Sequence, residues 1–344
     1  MIVEIDKSVF NPDESGCSFR EFQTLLNIIV LHDSYRLKLI DPSILGSPYY
    51  NSLSQLDQQI VDDSFDTTIN ESLSTDSLIR PNGSQYYTER VYSVQEGLIY
   101  LSSPIEVWLE NSNNDSPFIR SIFRHLRPDI PIDNWITQRW LTFANAGGCS
   151  NARNALEEKL KENQGKAKML RYFILLDSDK EFPGEVINKY DTFLAFCQQN
   201  GFTCHVLHKR AMENYMPDDV FDEFRNNQTD SWISAYLRLT PEQKDFFNIA
   251  EGFNGNIREK NLRNQGHAGR NCMSEGARQL FSSVSDTNYD RLEQGLSIAN
   301  FKTQFPMKYE ISPHVYATSL LLRTNHQSDP DELMHIIEQI LKLL

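Results

Sequence analysis

The sequence has few cysteines and no long apolar segment. Its five cysteines are an odd number and include no CxxC pair, which indicates ordinary buried thiols in a reduced compartment and argues against a zinc site. It has no run of about eighteen apolar residues, and its first ten residues lack the pattern of a secretory signal. We therefore expect a cytoplasmic protein with no membrane partner.

Basic residues are also scarce. The chain has 33 Lys and Arg residues against 47 Asp and Glu residues, for a net charge of -14, which opposes unaided approach to nucleic acid. Residues 1–104 carry a charge of -9 and residues 218–344 carry -5, whereas residues 105–217 are neutral. The middle third therefore differs electrostatically from the rest. With 344 residues, the chain is long enough for two or three domains.

Residues 105–208 alternate between short apolar runs and helical patterns. The runs are IEVWL at 105–109, WLTFANA at 140–146, YFILL at 172–176 and CHVLH at 204–208. Such alternation without hairpin signals predicts right-handed crossovers and a parallel sheet covered on both faces. The first helix is predicted to begin with Ser116 as its N-cap and Pro117 in its first turn.

These patterns predict an α/β protein with three regions. Residues 1–94 form a mixed α/β or helical region, residues 95–217 hold the central parallel sheet, and residues 218–344 are mainly helical. The last helix has the sequence of a capping box, with Asp329 as its N-cap and Glu332 three residues later. Its apolar stripe is expected to pack on its own domain, with a partner as the alternative; it comprises Leu333, Ile336, Ile337, Ile340, Leu341 and Leu344.

Acidic residues follow several of the predicted strands. Glu110 follows the first run, Asp177 and Asp179 follow the third, and Glu213 lies just beyond the fourth. The carboxyl ends of parallel strands meet at one edge of a sheet, so we expect these side chains to converge there. In extended backbone the Asp177 and Asp179 carboxylates point to the same side. Asp115 is expected in the loop before the first helix.

Five carboxylates at one edge repel each other unless cations neutralise them. Oxygen ligands without Cys or His at metal-binding spacing select hard ions, so Mg2+, or Mn2+, is the expected cofactor. Such ions polarise a phosphodiester and activate water, and a carboxylate can act as general base. Glu110, Asp115, Asp177, Asp179 and Glu213 are therefore the candidate metal ligands.

The arrangement resembles the TOPRIM domain of topoisomerases, primases and OLD-family nucleases. The resemblance covers about residues 95–217 and rests on IEVWLE, ending in Glu110, and FILLDSD, ending in Asp177 and Asp179. Asp115 in ENSNND and Glu213 in RAMENYMP are similar to the further acidic positions of the OLD-like branch. The resemblance implies a metal-dependent nuclease in antiviral defence, with DNA favoured over RNA as substrate. By the same resemblance Glu110 is a metal ligand or general base and Asp177 and Asp179 are the principal ligands. Asp115 and Glu213 would complete a second metal site.

OLD-like enzymes also use a lysine after the last acidic motif. Lys244 and Lys260 are the candidates, and Lys260 is preferred as the catalytic lysine because it lies in a basic stretch, residues 252–278. The chain has no GxxxxGK[ST] motif. An ATPase or sensor protein is therefore expected as a separate subunit, and self-association into a homo-oligomer is a further option.

Several alternatives stay open on the sequence alone. YFILLDSDK also resembles the motif of haloacid-dehalogenase-type phosphatases, in which Asp177 would be the nucleophile. A non-catalytic TOPRIM scaffold subunit is the alternative from another class. Glu213 can instead pair with Arg210 or cap a helix. His205 and His208 are expected on opposite sides of a strand, so that they do not share a metal.

Overall fold

The computed structural model describes residues 1–71, 73–257 and 259–344. Two four-stranded parallel sheets, each packed against helices, account for the first two thirds of the chain. The remaining third is helical. The predicted α/β class with a helix-covered parallel sheet is confirmed. Among the described helices, none is both long enough and apolar enough to cross a membrane.

The first sheet lies in the N-terminal region and has the strand order β2-β1-β3-β4, with every neighbouring pair parallel. Its strands are β1 (Ile2–Ile5), β2 (Arg36–Lys38), β3 (Ser77–Ile79) and β4 (Val91–Tyr92). The helices of this region are α1 (Pro12–Ser15), α2 (Phe19–Leu31), α3 (Pro48–Ser52), α4 (Gln55–Asn70) and α5 (Val94–Ser102). Helix α5 begins at the expected boundary, residue 94, and its residues Tyr100 and Leu101 beyond that boundary still belong to the N-terminal core.

The second sheet has the strand order β6-β5-β7-β8 and is also entirely parallel. Its strands are β5 (Ile105–Leu109), β6 (Leu141–Asn145), β7 (Tyr172–Leu176) and β8 (Thr203–Val206). They match the four apolar runs of the sequence. The helices between them are α6 (Ser112–Leu126), α7 (Ile132–Thr137), α8 (Cys149–Glu162) and α9 (Asp191–Asn200).

Side chains of the second sheet alternate between two separate cores. Val107 and Phe173 face one core together with Phe118 of α6, whereas Trp108 and Ile174 face the other. Helices α8 and α9 contribute to this second core through residues such as Leu156 and Phe193. The sheet is therefore buried on both faces, as near-continuous apolar strands predict.

The C-terminal helices extend the core on the α6 side of the second sheet. They are α10 (Asp230–Tyr236), α11 (Pro241–Phe246), α12 (Glu275–Leu280), α13 (Asp286–Leu292), α14 (Phe301–Ile311), α15 (Ala317–Thr324) and α16 (Glu332–Leu341). Leu333, Ile336, Ile337 and Ile340 of α16 are fully buried in this core. The expectation that the stripe packs on its own domain is confirmed, and these four side chains are not available to a partner.

The start of α16 differs from the prediction. The N-cap is Asp331, and its side chain makes no capping hydrogen bond. Glu332 is fully buried and bonds to His205 and Tyr215. The predicted capping box of Asp329 and Glu332 is therefore wrong, because tertiary partners hold the glutamate instead of the helix terminus.

Arg171 joins the N-terminal region to the rest of the chain. It is buried, and its Nη1 donates to the Tyr35 hydroxyl at 2.7 Å and to the Ser103 carbonyl at 2.9 Å. Its Nε donates to the Leu343 carbonyl at 2.8 Å. One guanidinium thus fastens both sheets and the C-terminal helix together.

Candidate metal centre

The point where the strand order reverses in the second sheet lies between β5 and β7. The chain leaves β5 for β6 on one side, and β7 then forms on the other side of β5. In open parallel sheets, ligands bind outside the carboxyl ends of the strands at such a point. Glu110 directly follows β5 and Asp177 directly follows β7, so both acids flank this position.

Asp115 lies within a helix rather than in the predicted loop. Helix α6 begins at Ser112 with Asn111 as its N-cap, whose side chain accepts from the Asn114 N–H. The Asp115 carboxylate in turn accepts from the Asn111 N–H at 2.7 Å. The prediction that Ser116 caps this helix is wrong, because Asn111 supplies the cap five residues earlier. The first turn of α6 therefore holds Asp115 next to the end of β5.

The backbone does not stay extended from Asp177 to Asp179. Asp179 has a φ of 55°, and its N–H donates to the Arg210 carbonyl at 2.9 Å. The Asp179 carboxylate accepts from Lys189 and, at 3.2 Å, from the Tyr190 hydroxyl. The expected extended geometry is therefore wrong, but both acids still line one cleft.

Glu213 is held by a rigid loop after β8. The loop ends in a 3-10 helix, Met212–Tyr215, and the Met212 N–H donates to Asp177 Oδ1 at 3.1 Å. The buried Asn214 amide donates to the Lys244 and Phe247 carbonyls at 2.7 and 2.9 Å. These bonds set the position of Glu213 beside Asp177. No ion pair joins Glu213 to Arg210 among the described residues.

The pKa shifts show that these carboxylates are close enough to repel each other. Burial raises the pKa of Asp177 well above its ordinary value, and nearby negative charges raise it further, in decreasing order Glu213, Asp115, Glu110 and Asp179. Burial also raises the pKa of Glu213, and the charges of Glu110 and Asp179 add to the effect. Burial raises the pKa of Asp115 to about 7 against an opposing bond from Asn111. All five predicted acids thus lie in one neighbourhood, although no three of them within the described residues bring ligand oxygens to within 4.8 Å of one another.

Cationic side chains do not neutralise this cluster. Within residues 1–71, 73–257 and 259–344, Asp179 is the one member with an ion pair, to Lys189. The other four, which are Glu110, Asp115, Asp177 and Glu213, form no ion pair with any basic side chain that the structure describes. Because ionised carboxylates without partners are costly in a half-buried site, the cluster suits a bound cation. Its oxygen donors fit Mg2+ or Mn2+, which take carboxylates and water as ligands.

An acidic cleft of about 360 Å³ opens beside these carboxylates. Asp177, Asp179 and Glu213 line it together with Arg210 and Lys302. Lys302 belongs to α14, and its charge opposes the rise in the pKa of Glu213. The helical C-terminal region therefore supplies part of the wall of this cleft, which the sequence does not indicate.

Neither predicted lysine lines the acidic cleft. Lys260 is exposed in the 3-10 helix Lys260–Leu262, and Lys244 is buried with its ammonium 2.5 Å from Asp218. Other basic side chains of the 252–278 stretch are engaged locally, since Arg263 contacts Glu251 and Arg270 contacts Asp286. Arg258 lies outside the described residues.

Arg210 is a functional candidate that the motif reading left aside. Its side chain is buried and lines the acidic cleft, and its Nη1 is buried without a hydrogen-bond partner among the described residues. Burial lowers its pKa, while four neighbouring acids oppose the change. The sequence signal that could have identified Arg210 is its position directly before the segment AMEN at 211–214, which contains Glu213. Lys302 lies some ninety residues beyond that motif and gave no signal in the sequence.

Comparisons of this chain with protein-family models, with curated proteins and with solved structures find no match in any of the three.

Proposed function

We propose that this protein is a Mg2+- or Mn2+-dependent nuclease of the OLD-like TOPRIM type. The observation that supports the proposal best is the convergence of five acids at the point where the strand order of a parallel sheet reverses. Four of them form no ion pair within the described part of the chain. In metal-dependent phosphodiester hydrolysis, carboxylates hold the metal ions, and the ions bind the anionic substrate.

The five carboxylates have different surroundings and hence different proposed roles. Asp177 and Asp179 hold the principal ion, and Asp115 and Glu213 hold a second one. When bound, these ions polarise the phosphodiester and lower the pKa of an attacking water. Glu110 is exposed at the end of β5, so it can serve as a ligand or accept the proton of that water.

Arg210 and Lys302 are the proposed phosphate-binding residues. They are the cations that line the acidic cleft alongside Asp177 and Glu213. The Arg210 guanidinium offers planar, paired donors that match phosphate oxygens. Its buried Nη1 lacks an acceptor in the described part of the protein, so an incoming phosphate would satisfy a donor that is otherwise unpaired.

A second protein is proposed to supply the remaining electropositive surface. The net charge of -14 opposes binding to a polyanion, so we expect weak activity alone, higher activity at low salt, and activation by an ATPase or sensor subunit. In this proposal the protein is the effector of an antiviral defence system. The substrate is DNA in preference to RNA.

The direct test is cleavage by the purified protein. Supercoiled plasmid and tRNA are incubated at low salt with Mg2+, with Mn2+ or with EDTA. We expect metal-dependent nicking or cleavage that Glu110→Gln and Asp177→Asn both abolish. Glu106→Gln is the matched control. Glu106 lies on β5, the strand that Glu110 follows, but it is not one of the five acids, and it accepts a hydrogen bond from Trp108 Nε1 at 3.2 Å.

Retained cleavage in both Glu110→Gln and Asp177→Asn would refute the assignment. The phosphatase alternative predicts instead that Asp177 binds an aspartyl-phosphate mimic such as beryllofluoride and that the protein hydrolyses small phosphomonoesters. The scaffold alternative predicts no cleavage by the protein alone and places any activity of an assembly with a neighbouring-gene product in the partner. In that case Asp177→Asn leaves the function of the assembly unchanged.

A further inference from the structure

A second cluster of ligand-type side chains lies at the end of β8. It consists of His205, His208 and Glu332, which we call the His-Glu cluster. One ligand atom from each residue lies within 4.8 Å of the others. His205 Nε2 is 2.9 Å from Glu332 Oε1, and His208 Nδ1 is 3.7 Å from Glu332 Oε2.

The two histidines share a side because the strand ends between them. β8 stops at Val206, so the alternation of side chains does not continue to His208. Leu207 is fully buried, and the chain turns so that the two imidazole centroids are 5.8 Å apart. The expectation that His205 and His208 face opposite sides is therefore wrong.

Hydrogen bonds hold the carboxylate of Glu332, and no lysine or arginine of the described residues forms an ion pair with it. It accepts from His205, from the His208 N–H at 2.8 Å and from the Tyr215 hydroxyl at 2.5 Å. Glu332 is fully buried, and a buried carboxylate is costly unless positive charge is nearby. These three contacts fix the orientation of the carboxylate.

The donor set and its surroundings match an open metal site. Two imidazoles and one carboxylate are a common ligand set for Zn2+, with a fourth position left for water or substrate. His208 Nδ1 is buried without a hydrogen-bond partner in the described part of the chain. His208 also lines a cleft of about 780 Å³, so a fourth position can face open space. Tyr215 acts as an outer partner that fixes the carboxylate.

We propose that His205, His208 and Glu332 form a binding site for a nitrogen-preferring divalent cation, with Zn2+ as the first candidate. The site is separate from the five carboxylates, whose oxygen donors suit Mg2+ instead. To bind the ion, His205 Nε2, which lies 2.9 Å from Glu332 Oε1, must be unprotonated, and the hydrogen of the neutral imidazole is then on Nδ1. The fourth ligand is a water or a substrate atom in the adjoining cleft.

The test is metal binding in a background that lacks the nuclease centre. The Asp177→Asn variant is stripped of metal, supplied with excess Mg2+, and titrated with Zn2+ by equilibrium dialysis and with Co2+ by visible spectroscopy. We expect one tight Zn2+ per chain and Co2+ bands of a low-coordinate nitrogen and oxygen site. Adding His208→Gln is expected to weaken binding more than about 100-fold, because loss of an outer partner alone costs about 10- to 100-fold.

His205→Gln and Tyr215→Phe provide two further variants, the second expected to weaken binding about 10-fold. His267→Gln is the matched control, because that exposed histidine pairs with Asp290 outside the cluster. Absence of a tight Zn2+, equal binding after loss of either cluster histidine, or a thiolate charge-transfer band with Co2+ would each overturn the proposal. None of these results depends on whether the protein cleaves nucleic acid.

Discussion

Glu110 and Asp177 leave neighbouring parallel strands at the same edge of one sheet. Trp108 of β5 pairs in register with Ile174 of β7, Glu110 lies two residues beyond the first, and Asp177 lies three residues beyond the second. Adjacent strands are about 4.8 Å apart. The acids therefore lie near enough for the charge of Glu110 to raise the pKa of Asp177.

Neutralising Asp115 is expected to stabilise the metal-free protein at high pH. Its folded pKa of about 7 lies above its ordinary value of 3.8, so its contribution to stability is full below pH 4 and is lost as the pH rises through 7. One pKa unit is equivalent to about 1.4 kcal/mol, and partial exposure reduces the full effect. We expect Asp115→Asn to raise the free energy of unfolding by about 2 kcal/mol at pH 8 and to change it little at pH 4.

This prediction is checked by thermal and urea unfolding in EDTA across that pH range. Asp63→Asn, at an exposed position on α4, is the control and should show no such pH-dependent gain. Mg2+ should narrow the difference at pH 8 by stabilising the unsubstituted protein. An Asp115→Asn variant that is less stable than the unsubstituted protein at pH 8 would contradict the repulsion described above.

Lys302 and Lys260 are distinguished by a matched pair of alanine variants. Lys302 lines the acidic cleft, and Lys260 does not. We expect Lys302→Ala to reduce cleavage about 10- to 100-fold, since a charged hydrogen bond contributes about 1.5–3 kcal/mol. It should also lower the slope of log affinity against log salt by about 1. The reverse ranking of the two variants would restore Lys260 as the catalytic candidate.

Leu333 is expected to act through the stability of this chain and not through a partner. It is fully buried in the core of the C-terminal helices, so Leu333→Ala should cost about 2–5 kcal/mol. Leu322→Ala, at a side chain that is 59% exposed, should change stability by no more than about 0.5 kcal/mol. Urea unfolding of the isolated protein measures both. A Leu333→Ala variant with unchanged stability would reopen the stripe of α16 as a docking surface.

The strand-and-helix order of the middle region could be predicted from local pattern. The four apolar runs became β5 to β8, because continuous apolar strands are stable only when both faces are covered. From that order and the acids at the strand ends, the meeting of Glu110 with Asp177 also followed. In the first sheet, a possible strand at 37–41 overlaps β2, but β1, β3 and β4 were not predicted, since strands of two to four residues give too little periodic signal.

Local rules failed where a tertiary partner competed for the same residue. Glu332 fits a capping box by spacing, but His205 and Tyr215 hold its carboxylate. The polar segment before α6 reads as a loop, but Asn111 caps a helix there and Asp115 accepts from its N–H.

The sequence by itself determined the parallel sheet, its burial on both faces and the acids at its carboxyl edge, because these depend on hydrophobic period and chain order. Tertiary structure alone decided which side chains from distant parts of the chain complete the two candidate sites. Lys302 reaches the acidic cleft from α14, and Glu332 reaches His205 and His208 from α16. Such contacts depend on how helices far apart in the chain pack on one core, and no local spacing records that packing.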